Sequence, residues 1–254
     1  MLQNAWALKG FTIQATDGKV GHVDDFYFDD ITWVVRYVVV DTGNWLGGHE
    51  VLLSPVALSG ISQQERCFNV SFARDHVSGA PDVESDRPVT RQWEAEYHDY
   101  FGWPYYWEGA GLFGAGPYPG FATEPADFAE TEAKNSGDPH LQSARDVGDC
   151  SIAASDGDIG HVIDFIIDED SWVIRYVEVD TGNWLPGKKV LLPTRLISEI
   201  NWSDGCLKIS LPREVIEHAP PYDPDQLIGR DYEQGLFDYY QEHLVVSVKP
   251  YWEL

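Results

Sequence analysis

The stretch Asp-Thr-Gly-Asn-Trp-Leu occurs at Asp41–Leu46 and again at Asp180–Leu185. Working outward from it, a shift of 139 residues (180 − 41) lays Asp17–Leu53 on Asp156–Leu192 without a gap, and 24 of those 37 positions are identical. The register continues through Cys67 on Cys206, Ala80-Pro81 on Ala219-Pro220, Arg91 on Arg230 and Asp99-Tyr100 on Asp238-Tyr239. It slips only near the ends, where Trp107-Glu108 matches Trp252-Glu253. This is a duplicated domain rather than a short solenoid repeat. The expected organisation is a first copy over residues 1–108, a linker over 109–146 and a second copy over 147–254.

Each copy reads as strands divided by turns. In the second, Ile163, Phe165 and Ile167 alternate with Asp164, Ile166 and Asp168, a largely period-two pattern that predicts a strand. Asp156-Gly157 precedes it, as Asp17-Gly18 precedes its twin, and glycine there permits the positive φ of a tight hairpin. The run Trp172–Val179 is β-branched and aromatic on both faces, so a central strand covered on both sides is expected. Asp-Thr-Gly-Asn-Trp then becomes the turn that ends this strand once per copy, with Asp41 bonding nearby amides and Trp45 closing one end of the core. The rival reading makes the paired turns a ligand mouth. Helical spacing follows each set of strands, over Pro88–Phe101 and Pro224–Gln241.

The order of strand, Asp-Gly turn, Gly-x-Val, acidic strand, Trp-x-x-Arg-Tyr-x-x-Val-Asp and Val-Leu-Leu strand resembles the PRC-barrel family, named for the photosynthetic reaction-centre H subunit. The resemblance covers Leu8–Val77 and Val147–Ile216. It implies a mainly β protein: two tandem small antiparallel PRC-like β-barrels, each followed by a helix and joined by a Gly/Pro/aromatic-rich linker. Family members include a membrane-complex subunit that docks by surface contacts and a ribosome-maturation factor, which implies binding rather than catalysis, with no catalytic residues to carry over.

Composition limits the partners. Lysine plus arginine number 17 against 42 aspartate plus glutamate, a formal charge of −25. Such a chain repels nucleic-acid phosphates and anionic lipid, so neither nucleic-acid binding nor membrane insertion is expected. No basic segment leads into an apolar run at Met1–Gln14, which gives a soluble, cytoplasmic expectation. Cys67, Cys150 and Cys206 have neither disulfide-framework nor zinc-ligand spacing. Gly109-Ala110-Gly111-Leu112-Phe113-Gly114 matches a dinucleotide fingerprint, but Gly116-Pro117-Tyr118-Pro119 replaces the helix that fingerprint needs. The acidic residues Asp24, Asp25, Asp29 and Asp30, like Asp164, Asp168, Glu169 and Asp170, lack calcium-loop spacing, and His22 and His161 have no second ligand at metal spacing. No catalytic residue, metal or cofactor is expected.

Two groups of residues remain. Arg36 and Arg175 are charges inside apolar strands and require carboxylates, for which Asp25 and Asp164, or a turn aspartate, are the candidates. The aromatic arm residues Trp103, Tyr105, Tyr106 and Trp107, with Trp252 from the second copy, are the candidate ligand- or partner-binding residues; so much aromatic area must be covered by the chain itself or by a partner. The expectation is a binding or scaffolding protein with a protein partner, an internal pseudo-dimer open to further homo-oligomerisation. The alternative is a small-ligand-binding or enzymatic protein with an aromatic cleft between the barrels.

Overall fold

A computed structural model of the chain describes residues 1–81, 89–103, 105, 140–148, 150–182, 188–202 and 204–244. The first copy runs β1 (Leu2–Asn4), α1 (Ala5–Leu8), β2 (Thr12–Ala15), β3 (Gly18–Asp29), β4 (Val35–Asp41), β5 (Glu50–Leu53), β6 (Leu58–Ser62), β7 (Cys67–Val70), α2 (Arg74–Ser78) and α3 (Arg91–Phe101). The second repeats it as β8 (Leu141–Ser143), α4 (Ala144–Val147), β9 (Ser151–Ala154), β10 (Gly157–Asp168), β11 (Ile174–Asp180), β12 (Lys189–Pro193), β13 (Ile197–Asn201), β14 (Cys206–Ile209), α5 (Arg213–His218) and α6 (Arg230–Glu242).

The compact units do not coincide with the two copies. One unit is Ala7–Ala144; the other joins Met1–Trp6 to Arg145–Leu254. Each is built on a seven-stranded sheet, ordered β5-β4-β3-β2-β7-β6 in the first unit, with β8 also on β3, and β12-β11-β10-β9-β14-β13 in the second, with β1 also on β10. The fold is mainly β, as expected, with two refinements. The β2–β7 and β9–β14 pairings are parallel. Among the described residues no ladder joins β5 to β6 or β12 to β13, so hydrogen bonding leaves each sheet open. Residues 106–139, most of the expected linker, lie outside the described residues. Elements β8 and α4 fall before and across the linker's expected end at residue 146; three residues of polar and apolar mixture carry too little periodicity to announce a strand.

Why these elements form is visible in burial. Val35–Val40 of β4 is buried on both faces, because Tyr37 and Val39 pack with Leu52, Val89 and Tyr97 of the helical side while Val38 and Val40 point the opposite way from the pleat. Helix α3 is capped by Thr90, whose hydroxyl accepts from the Trp93 amide at 3.2 Å, and it stops at Gly102 with φ 68°, the left-handed position glycine fills without strain. Helix α6 starts at Arg230, later than the expected Pro224, since Asp223 accepts from the Asp225 amide at 3.1 Å and holds a turn there.

One glycine per copy is forced by packing. A Cβ on Gly21 would stand 2.1 Å from the Asp41 carbonyl oxygen, and one on Gly160 would stand 1.9 Å from that of Asp180. Both contacts are with backbone, so no side chain can swing aside. Gly21→Ala or Gly160→Ala is expected to lower stability by about 3 kcal/mol or more, at or beyond the usual cost of overpacking; urea denaturation midpoints check this, and an unchanged midpoint contradicts it.

Candidate functional site

The long strands β3 and β10 are hairpin partners of shorter ones. On one edge of β10, β9 pairs only as far as His161, which leaves backbone donors and acceptors of the C-terminal half to be satisfied elsewhere. In the second unit β1 takes that edge, with Leu2, Gln3 and Asn4 opposite Asp168, Ile167 and Ile166. In the first unit β8 does the same on β3, with Leu141, Gln142 and Ser143 opposite Asp29, Phe28 and Tyr27. The registers are equivalent under the 139-residue shift. Each unit therefore contains a slot filled by the opening strand of the other copy.

Side chains read the occupant. In the second slot the Asn4 amide donates to Asp164 Oδ2 and Glu178 Oε2, each at 3.1 Å, and its carbonyl accepts from the Tyr222 hydroxyl at 3.0 Å. Both donors and the carbonyl acceptor of one asparagine are thus engaged, which also fixes its orientation. Beyond it the Trp6 amide donates to Asp164 Oδ1 at 3.1 Å and its indole N–H to the Ile163 carbonyl at 2.7 Å. Lys189 balances Glu178 at 2.9 Å. Tyr222 is held in place by its own amide, which donates to the Lys189 carbonyl at 2.8 Å. Burial drives the Asp164 carboxyl up to about 6, against the three hydrogen bonds it accepts from Trp6, Phe165 and Asn4, with the nearby Glu178 charge acting in the same upward direction. Burial likewise raises the Tyr222 hydroxyl to about 12, which keeps it a donor. In the first slot Ser143 donates to Asp25 Oδ2 at 2.5 Å, and His140 meets Asp30 at 2.9 Å.

A model of the PRC-barrel domain matches residues 7–75 and 141–215. The chain belongs to the PRC-barrel family. No curated protein matches the sequence. In this PRC-barrel chain the first matched region starts after β1 while the second includes β8.

The sequence-predicted arginines meet carboxylates, and of the two alternatives it is the turn aspartate that each one reaches. Arg36 reaches Asp29 at 3.4 Å and the Thr32 hydroxyl at 3.2 Å; Arg175 reaches Asp168 at 2.5 Å and Glu233 at 3.3 Å. Asp29 and Asp168 are the aspartates at the turn that follows each long strand, while Asp25 and Asp164 accept from Ser143 and Asn4 of the opening strands. The reason is the register: opposite Tyr27-Phe28 and Ile166-Ile167 the partner strand carries one extra residue, Arg36 on β4 and Arg175 on β11, and this bulge re-aims each arginine toward the last aspartate of the long strand. Asp168 also accepts from Ser171 and the Asp170 amide; burial would raise its carboxyl, yet Arg175 and these bonds bring it below the ordinary carboxylate range.

Of the aromatic candidates, Trp103 packs against the first unit's core, stacked on Phe101 with ring centroids 4.3 Å apart, and the Tyr105 hydroxyl donates to Asp99 at 2.5 Å. Tyr106, Trp107 and Trp252 lie outside the described residues. The Asp-Thr-Gly turn is local structure in both copies: the Gly43 and Gly182 amides each donate to the preceding aspartate, Asp41 and Asp180, at 2.8 Å. In the first unit the Trp45 indole N–H donates to the Val20 carbonyl and its ring lies 4.2 Å beneath the Arg74 guanidinium.

Sequence reasoning missed the helix glutamates. Tyr37 donates to Glu94 at 2.8 Å and its oxygen lies 3.0 Å from His98 Nε2; because the phenol has one proton and gives it to Glu94, His98 is the donor in the second bond. Tyr176 donates to Glu233 at 3.0 Å in the other unit. The signal was available, since 94 + 139 = 233, but two glutamates among 42 acids draw no notice. Asn4, Ser143 and Tyr222 were missed because no local pattern ties them to a sheet of the other copy. Among the described residues no group of three or more His, Cys, Asp or Glu side chains is arranged to hold a metal ion, and no helix is long and apolar enough to cross a membrane.

Two outcomes follow from the charges. An Asp164 carboxyl raised from 3.8 to about 6 on folding binds its proton more tightly in the native state. Its contribution to stability is therefore highest below about pH 4 and falls as pH rises through about 6, by on the order of 2–3 kcal/mol. The difference between wild type and Asp164→Asn, measured by urea denaturation from about pH 4 to pH 7, isolates that slope; parallel curves contradict it. Arg175→Ala leaves Asp168 and Glu233 buried without their cation and is expected to cost on the order of 3–5 kcal/mol, read from the same midpoints at neutral pH.

Proposed function

We propose that this PRC-barrel chain is a non-enzymatic binding or scaffolding protein that acts through protein–protein contacts. The observation that carries the reading is the slot: each sheet engages an extended segment through a backbone ladder and one polar side chain. That is how a protein surface recognises another stretch of chain by strand addition. The buried polar groups support the same reading, since Glu94, Glu233, Asp168 and Asp164 all hold strands and helices together. A charge of −25 makes a basic protein surface a better electrostatic match than a nucleic acid. The free thiols of Cys67, Cys150 and Cys206 fit a reducing compartment, and we assign the chain to the cytoplasm.

Affinity capture from the native host, with the full chain as bait and analysis of both protein and small-molecule content, tests this. The expected result is a reproducible protein whose retention weakens with rising salt. Retention of a small molecule alone, or turnover of one, replaces the proposal with a ligand-binding or enzymatic role.

A further inference from the structure

We infer that the second unit's slot also accepts β1 from a second copy of this chain, giving a strand-exchanged dimer. The inference deepens the protein-contact reading and rests on it, naming the partner as the chain itself.

The observations begin with connectivity. Strand β1 completes a sheet formed by residues 151–209, yet it is joined in sequence to β2, which belongs to the other unit. Its seat is thus specified by non-covalent contacts alone: the ladder from Leu2 to Asn4, the Asn4 bonds to Asp164, Glu178 and Tyr222, and the Trp6 bonds to Asp164 and Ile163. A Glu169 amide donating to the Met1 carbonyl at 2.9 Å extends the ladder by one more bond. Every one of these contacts is reproduced when an identical strand arrives from another molecule. Exchange then trades a local effective concentration for a bulk one and forfeits no contact within the slot, the condition under which swapping is cheap.

The slot is also selective. The first unit has Val39 where the second has Glu178, and Glu50 where the second has Lys189. Asn4 seated there would lose one of its two acceptors, while Ser143 in the second slot would leave Glu178 and Tyr222 without the amide that joins them. Each slot accordingly prefers its own strand sequence and disfavours the other. A second copy supplies the preferred strand for the second slot, whereas an unrelated extended segment has to reproduce an asparagine at the same ladder position. The equivalent registers of β1 on β10 and β8 on β3 add that the same device operates twice in one chain, as expected where a strand-exchanging pair of identical domains has been fused.

The test uses full-length chains. Gln3 and Ile167 are ladder partners, so Gln3→Cys and Ile167→Cys placed in one chain are expected to form an internal disulfide at low protein concentration. One chain carrying only Gln3→Cys and another carrying only Ile167→Cys are then unfolded together, refolded at increasing concentration and oxidised. The expected product is a covalent heterodimer, mapped by mass spectrometry to the two introduced thiols, whose yield rises with concentration. Adding Asn4→Ala to the first chain should cut that yield about tenfold or more, since hydrogen bonds to two carboxylates are lost. Internal closure of the double variant with no heterodimer at any concentration overturns the inference. So does failure of the double variant to close, which removes β1 from the slot. A protein captured from host lysate by the internally closed double variant leaves the broader protein-contact reading standing even where this one falls.

Discussion

A single carboxylate at the end of each long strand organises what surrounds it. Asp29 Oδ1 accepts from the Ile31 and Thr32 amides and from the Thr32 hydroxyl, which winds the β3–β4 turn. Asp168 uses the Asp170 amide and the Ser171 hydroxyl for the same purpose. The turn is demanding, because Trp33 and Trp172 sit at φ 58° and 57°, a left-handed conformation that costs a side-chain-bearing residue roughly 1–2 kcal/mol. Each tryptophan is nevertheless buried, and its amide donates to the aspartate carbonyl at 2.7 Å. The second carboxylate oxygen takes the strand arginine, and the same residue's backbone meets the leucine that begins the exchanged strand. Turn, strand charge and slot share one anchor.

The two copies keep this scaffold and solve its polar requirements differently. Glu94 shares Tyr37 with His98, whereas Glu233 shares itself between Tyr176 and Arg175. At the position of His98 the second copy has Phe237, over whose ring Arg195 lies at 5.1 Å. In the second slot an ion pair, Glu178 with Lys189, stands where the first copy has Val39 and Glu50. Buried polar networks of this kind are worth more for uniqueness than for net stability when every member is satisfied. These differences, most of them at buried positions, give the two units distinct interior polar networks on one backbone plan.

Much of the fold could be read from residues. The duplication announced itself in Asp-Thr-Gly-Asn-Trp-Leu, and the β-branched run through Arg175 and Tyr176 marked a central strand because both its faces are apolar. Gly21 and Gly160 stood in a repeated Gly-His-Val and proved to lie against backbone. The arginines were recognisable as buried cations and a turn aspartate as one candidate partner, but not which candidate each would meet, since a bulge at the arginine itself sets which aspartate it faces. The slot was illegible for a deeper reason. Leu-Gln-Asn and Leu-Gln-Ser are three residues long, too short for periodicity, and their seats lie roughly 160 residues away in sequence for β1 and more than 110 for β8. Local chemistry carries no address for a pairing of that span.

That span has a consequence for synthesis. Strand β1 is made roughly 160 residues before the edge it occupies, Ile166–Asp168. At typical elongation rates of about 5–20 residues per second the opening strand waits roughly 10–30 s for its seat. Strand β3 waits as well, since β8 emerges more than 110 residues after it. During that interval the opening strand lacks its seat and the edge of β3 is uncovered, so each sheet is completed only after the segment supplied by the other copy has emerged.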